Sequence, residues 1–181
     1  MVERVDLYTY DRQPTGETAL RGEKLPPDRY RMVVHVCLFG SDGRMLIQQR
    51  SASHARWTGL WDVTMGGGAQ TGDDSRTAAA RELLEEIGLR ADLTGLPPAL
   101  TLRPGQVIDD FYILRGDPAP ETLRLQAEEV QAVRWADAGD IHRMIDAGTF
   151  IPYKHELIDL LFALRDSRGC WTRPDRRGAS G

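Results

Sequence analysis

The stretch Gly67–Leu89, GGAQTGDDSRTAAARELLEEIGL, opens on glycines and closes on a helix-forming segment that carries Glu82, Glu85 and Glu86. Asp74 or Ser75 can cap its start. Gly88 followed by Leu89 suits a C-terminal cap, so the spacing predicts a helix from Ser75 to Ile87. At about 100° per residue, Ala79, Ala80, Leu83, Leu84 and Ile87 form one apolar arc. The three glutamates form a separate acidic arc, so one face is expected to pack and the other to face a site. Glutamates three and four residues apart repel each other, by roughly 0.2–0.5 kcal/mol per pair. They also sit near the negative end of the helix dipole, which disfavours each exposed anion by about 0.3–1 kcal/mol. Two local rules are broken together, and a bound cation would turn both penalties into coordination. Carboxylates are the hard oxygen donors that hold Mg²⁺ or a similar ion, and glycines let the backbone approach a ligand closely.

The flanks read as strands. Arg31–Phe39 (RMVVHVCLF) and Arg44–Arg50 (RMLIQQR) surround Gly40-Ser41-Asp42-Gly43, a strand, turn, strand signal whose first member is apolar enough to be central. Val107–Leu114 and Val130–Trp135 are further expected strands. Asp137 can cap a short helix to about Ala147, and another helix is expected from Tyr153 to Arg165 with Leu157, Ile158, Leu160, Leu161 and Leu164 buried. Near the N-terminus, a turn at Gln13-Pro14-Thr15-Gly16 predicts a hairpin within residues 1–25. Residues 166–181 are Arg- and Gly-rich without periodicity, and are expected to be a flexible tail on a single domain of residues 1–165. Strands on both sides of the central helix, with helices gathered late, predict an α/β fold with a mixed sheet between helices.

With 41% hydrophobic and 28% charged residues and a formal charge of −4, the composition gives no support for a nucleic-acid or acidic-membrane partner. Two cysteines, Cys37 and Cys170, suggest neither a disulfide framework nor a Cys-based zinc site, and a reducing cytoplasm is the expected location. No run approaches the roughly 18 apolar residues of a membrane span. A monomer or a homodimer is expected.

Residues 67–89 resemble the Nudix box of the Nudix hydrolases, which reads G, five residues, E, seven residues, R-E-U-x-E-E-x-G-U with U aliphatic. Gly67, Arg81, Glu82, Leu83, Glu85, Glu86, Gly88 and Leu89 match, eight of nine defined positions, while Asp73 stands where the pattern has Glu. The resemblance extends from about Asp6 to Leu161, and is greatest to the bacterial branch related in sequence to isopentenyl-diphosphate isomerase. It implies an α/β/α sandwich and Mg²⁺-dependent cleavage of a diphosphate in a nucleoside diphosphate linked to another moiety, with Mn²⁺ able to replace Mg²⁺. Glu85, Glu86 and the Gly67 carbonyl would then be metal ligands, and Glu82 a ligand or the general base, a role open to Glu85 as well. Arg81 would orient the glutamates. Asp73, one methylene shorter than Glu, would be a structural carboxylate that reaches its partner through water or a shifted loop. The isomerase relies on a reactive Cys just before the box and on His ligands, but WDVTMGGG has no Cys, and His35 falls elsewhere. Isomerase-like chemistry and a nucleotide-sensing module are the two alternative readings.

Outside the box, Asp110 and Glu129 are the further acids that could reach the cleft, with Asp109 and Glu128 beside them. Arg50 could meet substrate phosphates and Trp61 could stack on a base, while surface charge and core packing are the competing explanations. His35 is expected to be a satisfied core histidine and Cys37 an inert buried thiol.

Overall fold

The computed structural model describes residues 3–53 and 56–166. Apart from Asp166, the expected tail lies outside the described residues. Strands β1 (Arg4–Tyr8) and β2 (Pro14–Leu20) form a separate antiparallel hairpin. Its turn runs from Thr9 to Gln13, earlier than expected, because Arg12 adopts a left-handed φ of 69° and Thr9 N–H reaches the Gln13 carbonyl at 2.9 Å. Pro14, which has no N–H to donate, opens β2 opposite Tyr8 instead of making the turn.

The main sheet is mixed and seven-stranded. Its centre is β3 (Arg31–Phe39), which pairs antiparallel with β6 (Met65–Gly68) on one edge and, along its whole length, in parallel with β8 (Val107–Arg115) on the other. Beyond β8 lies β7 (Leu100–Leu102). On the other side, β4 (Met45–Arg50) meets β3 only at Phe39 and Met45, and pairs antiparallel with β5 (Trp61–Asp62) and β9 (Val130–Ala136). Alternation along β3 decides the layers. Met32, Val34, Val36 and Leu38 pack towards helix α1 (Ser75–Ile87), whereas Cys37 and Phe39 pack with α2 (Ala138–Asp146) and α3 (His155–Leu164). The result is an α/β/α sandwich. Among the described residues, no helix is long and apolar enough to cross a membrane.

Helix α1 matches its expected bounds because both ends are specified locally. Asp74 Oδ1 accepts from the N–H groups of Arg76 and Thr77 at 2.9 and 2.8 Å, and Thr77 Oγ1 accepts from Asp74 N–H at 2.8 Å. Gly88 takes a φ of 73°, and its N–H closes on the Leu84 carbonyl at 3.0 Å. A Cβ at Gly88 would lie 2.9 Å from Arg124 Cβ and 3.2 Å from Arg124 backbone atoms. Gly88→Ala is therefore expected to lower the unfolding free energy by about 1–3 kcal/mol, read from urea denaturation. An unchanged urea midpoint would count against this account of the cap.

Candidate functional site

Helix α1 does not separate its apolar and acidic residues as the helical wheel suggests. Glu82 and Glu86 are buried, at 8% and 6% exposure, on the same side as Ala78, Ala79, Leu83 and Ile87, while Leu84 is 38% exposed. One turn apart, the two acids face inward, and Glu85 faces outward with half of its side chain exposed. The wheel failed because it assigned faces by polarity, and here a pair of carboxylates occupies core-facing positions.

The glycine strand makes room for them. A Cβ on Gly67 would lie 2.3 Å from Glu82 Cδ and 2.6 Å from its Oε1, so only glycine leaves the carboxylate flush against the β6 backbone. Beside it, Gln48 of β4 donates from Nε2 to Glu86 Oε2 at 3.1 Å, while Gln48 Oε1 is buried without a hydrogen-bond partner. Arg81 binds the outer acids. Its Nη2 donates to Asp73 Oδ2 at 2.7 Å and to the Gly68 carbonyl at 3.2 Å, and Nη1 lies 3.0 Å from Glu85 Oε2 and 3.1 Å from Glu82 Oε1. Asp73 therefore reaches its partner directly, not through water, since the loop brings it onto the guanidinium.

Electrostatics follow from burial. The Glu86 carboxyl is pushed up to about 8, first by burial and then by the charge of Glu82, with Glu129 adding to it. Glu82 is raised as well, because burial outweighs the attraction of Arg81. Arg81 holds its proton more firmly than usual: burial opposes the charge, but Asp73 and Glu82 outweigh it. Two buried acids, an unpartnered amide oxygen and a backbone left bare by glycine are a donor set suited to a divalent cation. As the side chains stand, no three His, Cys, Asp or Glu residues among those described converge on one ion position, and Glu85 lies outward against Arg81.

The NUDIX domain profile matches residues 29–161. The chain belongs to the Nudix family. It is 35% identical to a Nudix hydrolase of Listeria monocytogenes over 92% of this chain and 97% of that one. A crystal structure from Deinococcus radiodurans superposes with a TM-score of 0.69 at 26% identity, covering 88% of this chain and 97% of the other. The isopentenyl-diphosphate isomerase of Leifsonia xyli is 28% identical over 75% of this chain and 77% of its own. This chain is a Nudix hydrolase, and the stretch Gly67–Leu89 lies within its Nudix domain.

Other expected residues of this Nudix hydrolase take different places. Glu129, just ahead of β9, adds its charge to the upward push on Glu86. Asp110 does not join them. It is fully buried next to the α1 N-terminus, where it accepts two bonds of 2.7 Å from Arg12 and further ones from Ser75 at 2.5 Å and Thr101 at 2.6 Å. Its neighbour Asp109 points to the opposite face of β8, 3.0 Å from His35 Nε2. Despite burial, which opposes its charge, His35 is raised by the hydrogen bond and charge of Asp109. A Cβ on Gly66 would lie 2.7 Å from His35 Nδ1, so this pair backs the glycine strand. Arg50 is 8% exposed, donates to the Arg56 carbonyl at 3.2 Å and lies 3.5 Å from Asp62 Oδ2. Trp61 packs among the residues under α2 and α3, with Arg134 over its ring at 5.0 Å. Cys37 is fully buried, and burial pushes its thiol up.

Two residues close to the glycine strand and the buried acids escaped the sequence reading. Gln48 carried a faint signal, a polar side chain inside the apolar run MLIQQR that proves 1% exposed. Arg21 carried none in its local pattern, because only the folding of the hairpin brings it alongside β6.

Proposed function

We propose that this Nudix hydrolase uses a divalent cation, Mg²⁺ or Mn²⁺, to cleave the diphosphate of a nucleoside diphosphate linked to another moiety. The observation that carries the reading is the buried Glu82 and Glu86 pair set against the bare backbone of Gly67. Burying one carboxylate is costly, and burying two side by side without a cation is more so. Glu82, Glu86 and the Gly67 carbonyl would hold the ion, joined by Glu85 once Arg81 releases it. Such an ion supplies charge screening for the diphosphate and acidifies a bound water.

The remaining chemistry belongs to the chain. Arg81 spans Asp73, Glu82 and Glu85, so it sets the carboxylate orientations and shares its charge among them. Glu82 or Glu85, the two helix acids that Arg81 orients, would accept the proton of the attacking water. Gln48 fixes the rotamer of Glu86. Among the described residues a thiolate route of the isomerase kind finds no nucleophile, since Cys37 is buried and residues 61–68 contain no cysteine.

The test is product analysis with a panel of nucleoside diphosphate compounds and Mg²⁺, Mn²⁺ or a chelator. New phosphate-containing products are expected only with metal. Tight binding of a panel compound without any cleavage would give the sensing module the better claim. Gly67→Ala should cost about 100-fold or more in kcat, because the added Cβ displaces Glu82. Activity within about threefold of the wild type would disconnect the Gly67 and Glu82 contact from catalysis.

A further inference from the structure

The N-terminal hairpin ends beside the proposed diphosphate site, and the residue after β2 is Arg21. Its N–H bonds to the Glu3 carbonyl at 2.8 Å, which anchors the backbone there. The guanidinium carbon lies 4.0 Å from the place a Cβ on Gly68 would occupy. Burial opposes its charge, but the pair with Glu3 and the more distant Glu82 and Glu129 outweigh this. Arg21 thus feels carboxylates from α1 and from the segment before β9.

Its pairing sets it apart from the other arginines nearby. Arg81 is held by Asp73, Glu82, Glu85 and the Gly68 carbonyl, and Arg50 is nearly buried beside Asp62. Arg21 meets Glu3 through one contact of 2.5 Å, with the two side chains 52% and 25% exposed. An exposed pair of this kind is worth roughly 0–1 kcal/mol. A phosphate presents several charged oxygens in an arrangement that matches a guanidinium fork better than a single carboxylate contact does.

The geometry points to Arg21 as a substrate-binding residue that exchanges Glu3 for a phosphate oxygen of the diphosphate, on the outer side of Gly68. This assignment rests on the hydrolase reading above. Arg21 lies outside the matched residues 29–161, so this contact would come from the hairpin and not from the matched part of the chain. Two opposed consequences follow from one charge: Arg21 repels a divalent cation near Glu82 and attracts the anion that the cation recruits. Removing it should leave cation binding unchanged or tighter and weaken anion binding. A purely structural arginine that tied β2 to Glu3 would weaken both, since its loss would loosen the hairpin.

The test uses the full chain, with Mg²⁺ titrated alone and methylenediphosphonate, a non-hydrolysable diphosphate, titrated in excess Mg²⁺, both by calorimetry. Arg21→Ala should weaken methylenediphosphonate about 10- to 100-fold, the range for a lost charged hydrogen bond, and Arg21→Lys should restore part of it. Mg²⁺ affinity should not fall in either variant. Arg29→Ala, which removes an arginine paired with Glu17, should match the wild type in both titrations. Methylenediphosphonate affinity unchanged in Arg21→Ala overturns the assignment while leaving the hydrolase reading intact. A parallel loss of Mg²⁺ affinity in both Arg21 variants overturns it in favour of a structural role. Failure of the wild type to bind methylenediphosphonate with Mg²⁺ removes the hydrolase reading, and this one with it.

Discussion

Glutamine in place of Glu86 is expected to raise the unfolding free energy of the metal-free protein by about 3 kcal/mol at pH 7 while removing most of its hydrolytic activity. The sign comes from the carboxyl being pushed up to about 8 in the fold, from an ordinary value of 4.5. A group raised in this way contributes stability that is fully present below the unfolded value and is lost as pH rises through the folded one. The wild type should therefore lose stability relative to Glu86→Gln between pH 4.5 and about 8, and the difference should level off above that. Glutamine keeps the shape and can still meet Gln48, but carries no charge to bury. Mg²⁺ should reverse the order: it stabilises the wild type increasingly as pH rises and does little for the variant. Chemical denaturation with a chelator at pH 5 and pH 8, repeated with Mg²⁺, measures all of this. Equal pH profiles for the two proteins would sink the claim that Glu86 is buried as a reluctant anion.

The second large effect lies away from the acids. Arg12→Ala should destabilise the protein by about 3–5 kcal/mol, since it leaves the fully buried Asp110 with only the Ser75 and Thr101 hydroxyls. Asp110 is held below its usual range: burial alone would raise it, but the bonds from Arg12, Ser75 and Thr101 more than offset that. Its contribution in the wild type is thus present above the unfolded value of 3.8 and lost as pH falls through the still lower folded one, whereas in Arg12→Ala burial is no longer offset by Arg12 and raises Asp110, so the penalty should be largest at high pH and shrink as pH falls. The double variant Arg12→Ala with Asp110→Ala should recover part of the loss, because the stranded charge is gone. Urea unfolding of the three variants decides it, and additive losses would mean that the pair is not coupled. The same network explains why Asp110 is unsuited to ligating an ion: each of its oxygens already accepts from Arg12, and each from one hydroxyl as well.

Much of the fold could be read locally. The bounds of α1 follow from Asp74, Thr77 and Gly88, three residues within one turn of the helix ends, and β3 follows from a nearly all-apolar run interrupted by His35. The hairpin turn was displaced because the left-handed residue is Arg12, which carries no glycine-like signal, while the Pro14-Thr15-Gly16 segment that looked like a turn became strand.

The site divides in the same way. Helical spacing grouped Glu82, Glu85 and Glu86, and the resemblance to the Nudix box joined Gly67 and Arg81 to them, all on a single stretch of chain. Which acids are buried was not legible there, since that depends on β4 and β6 approaching α1 and on Gln48 lying opposite Glu86. Likewise, Asp109 and Asp110 are adjacent in sequence but fall on opposite faces of β8, one to His35 and the other to Arg12. The sequence by itself determined the helix and its acidic triplet, for these rest on local hydrogen bonding and periodicity, while the glycines ahead of them form a strand, β6, through pairing with β3. Only the tertiary structure decided which of those charges must be buried, which are already neutralised, and that Arg21 reaches the rim from another part of the chain. Burial and pairing are properties of segments that meet only after folding.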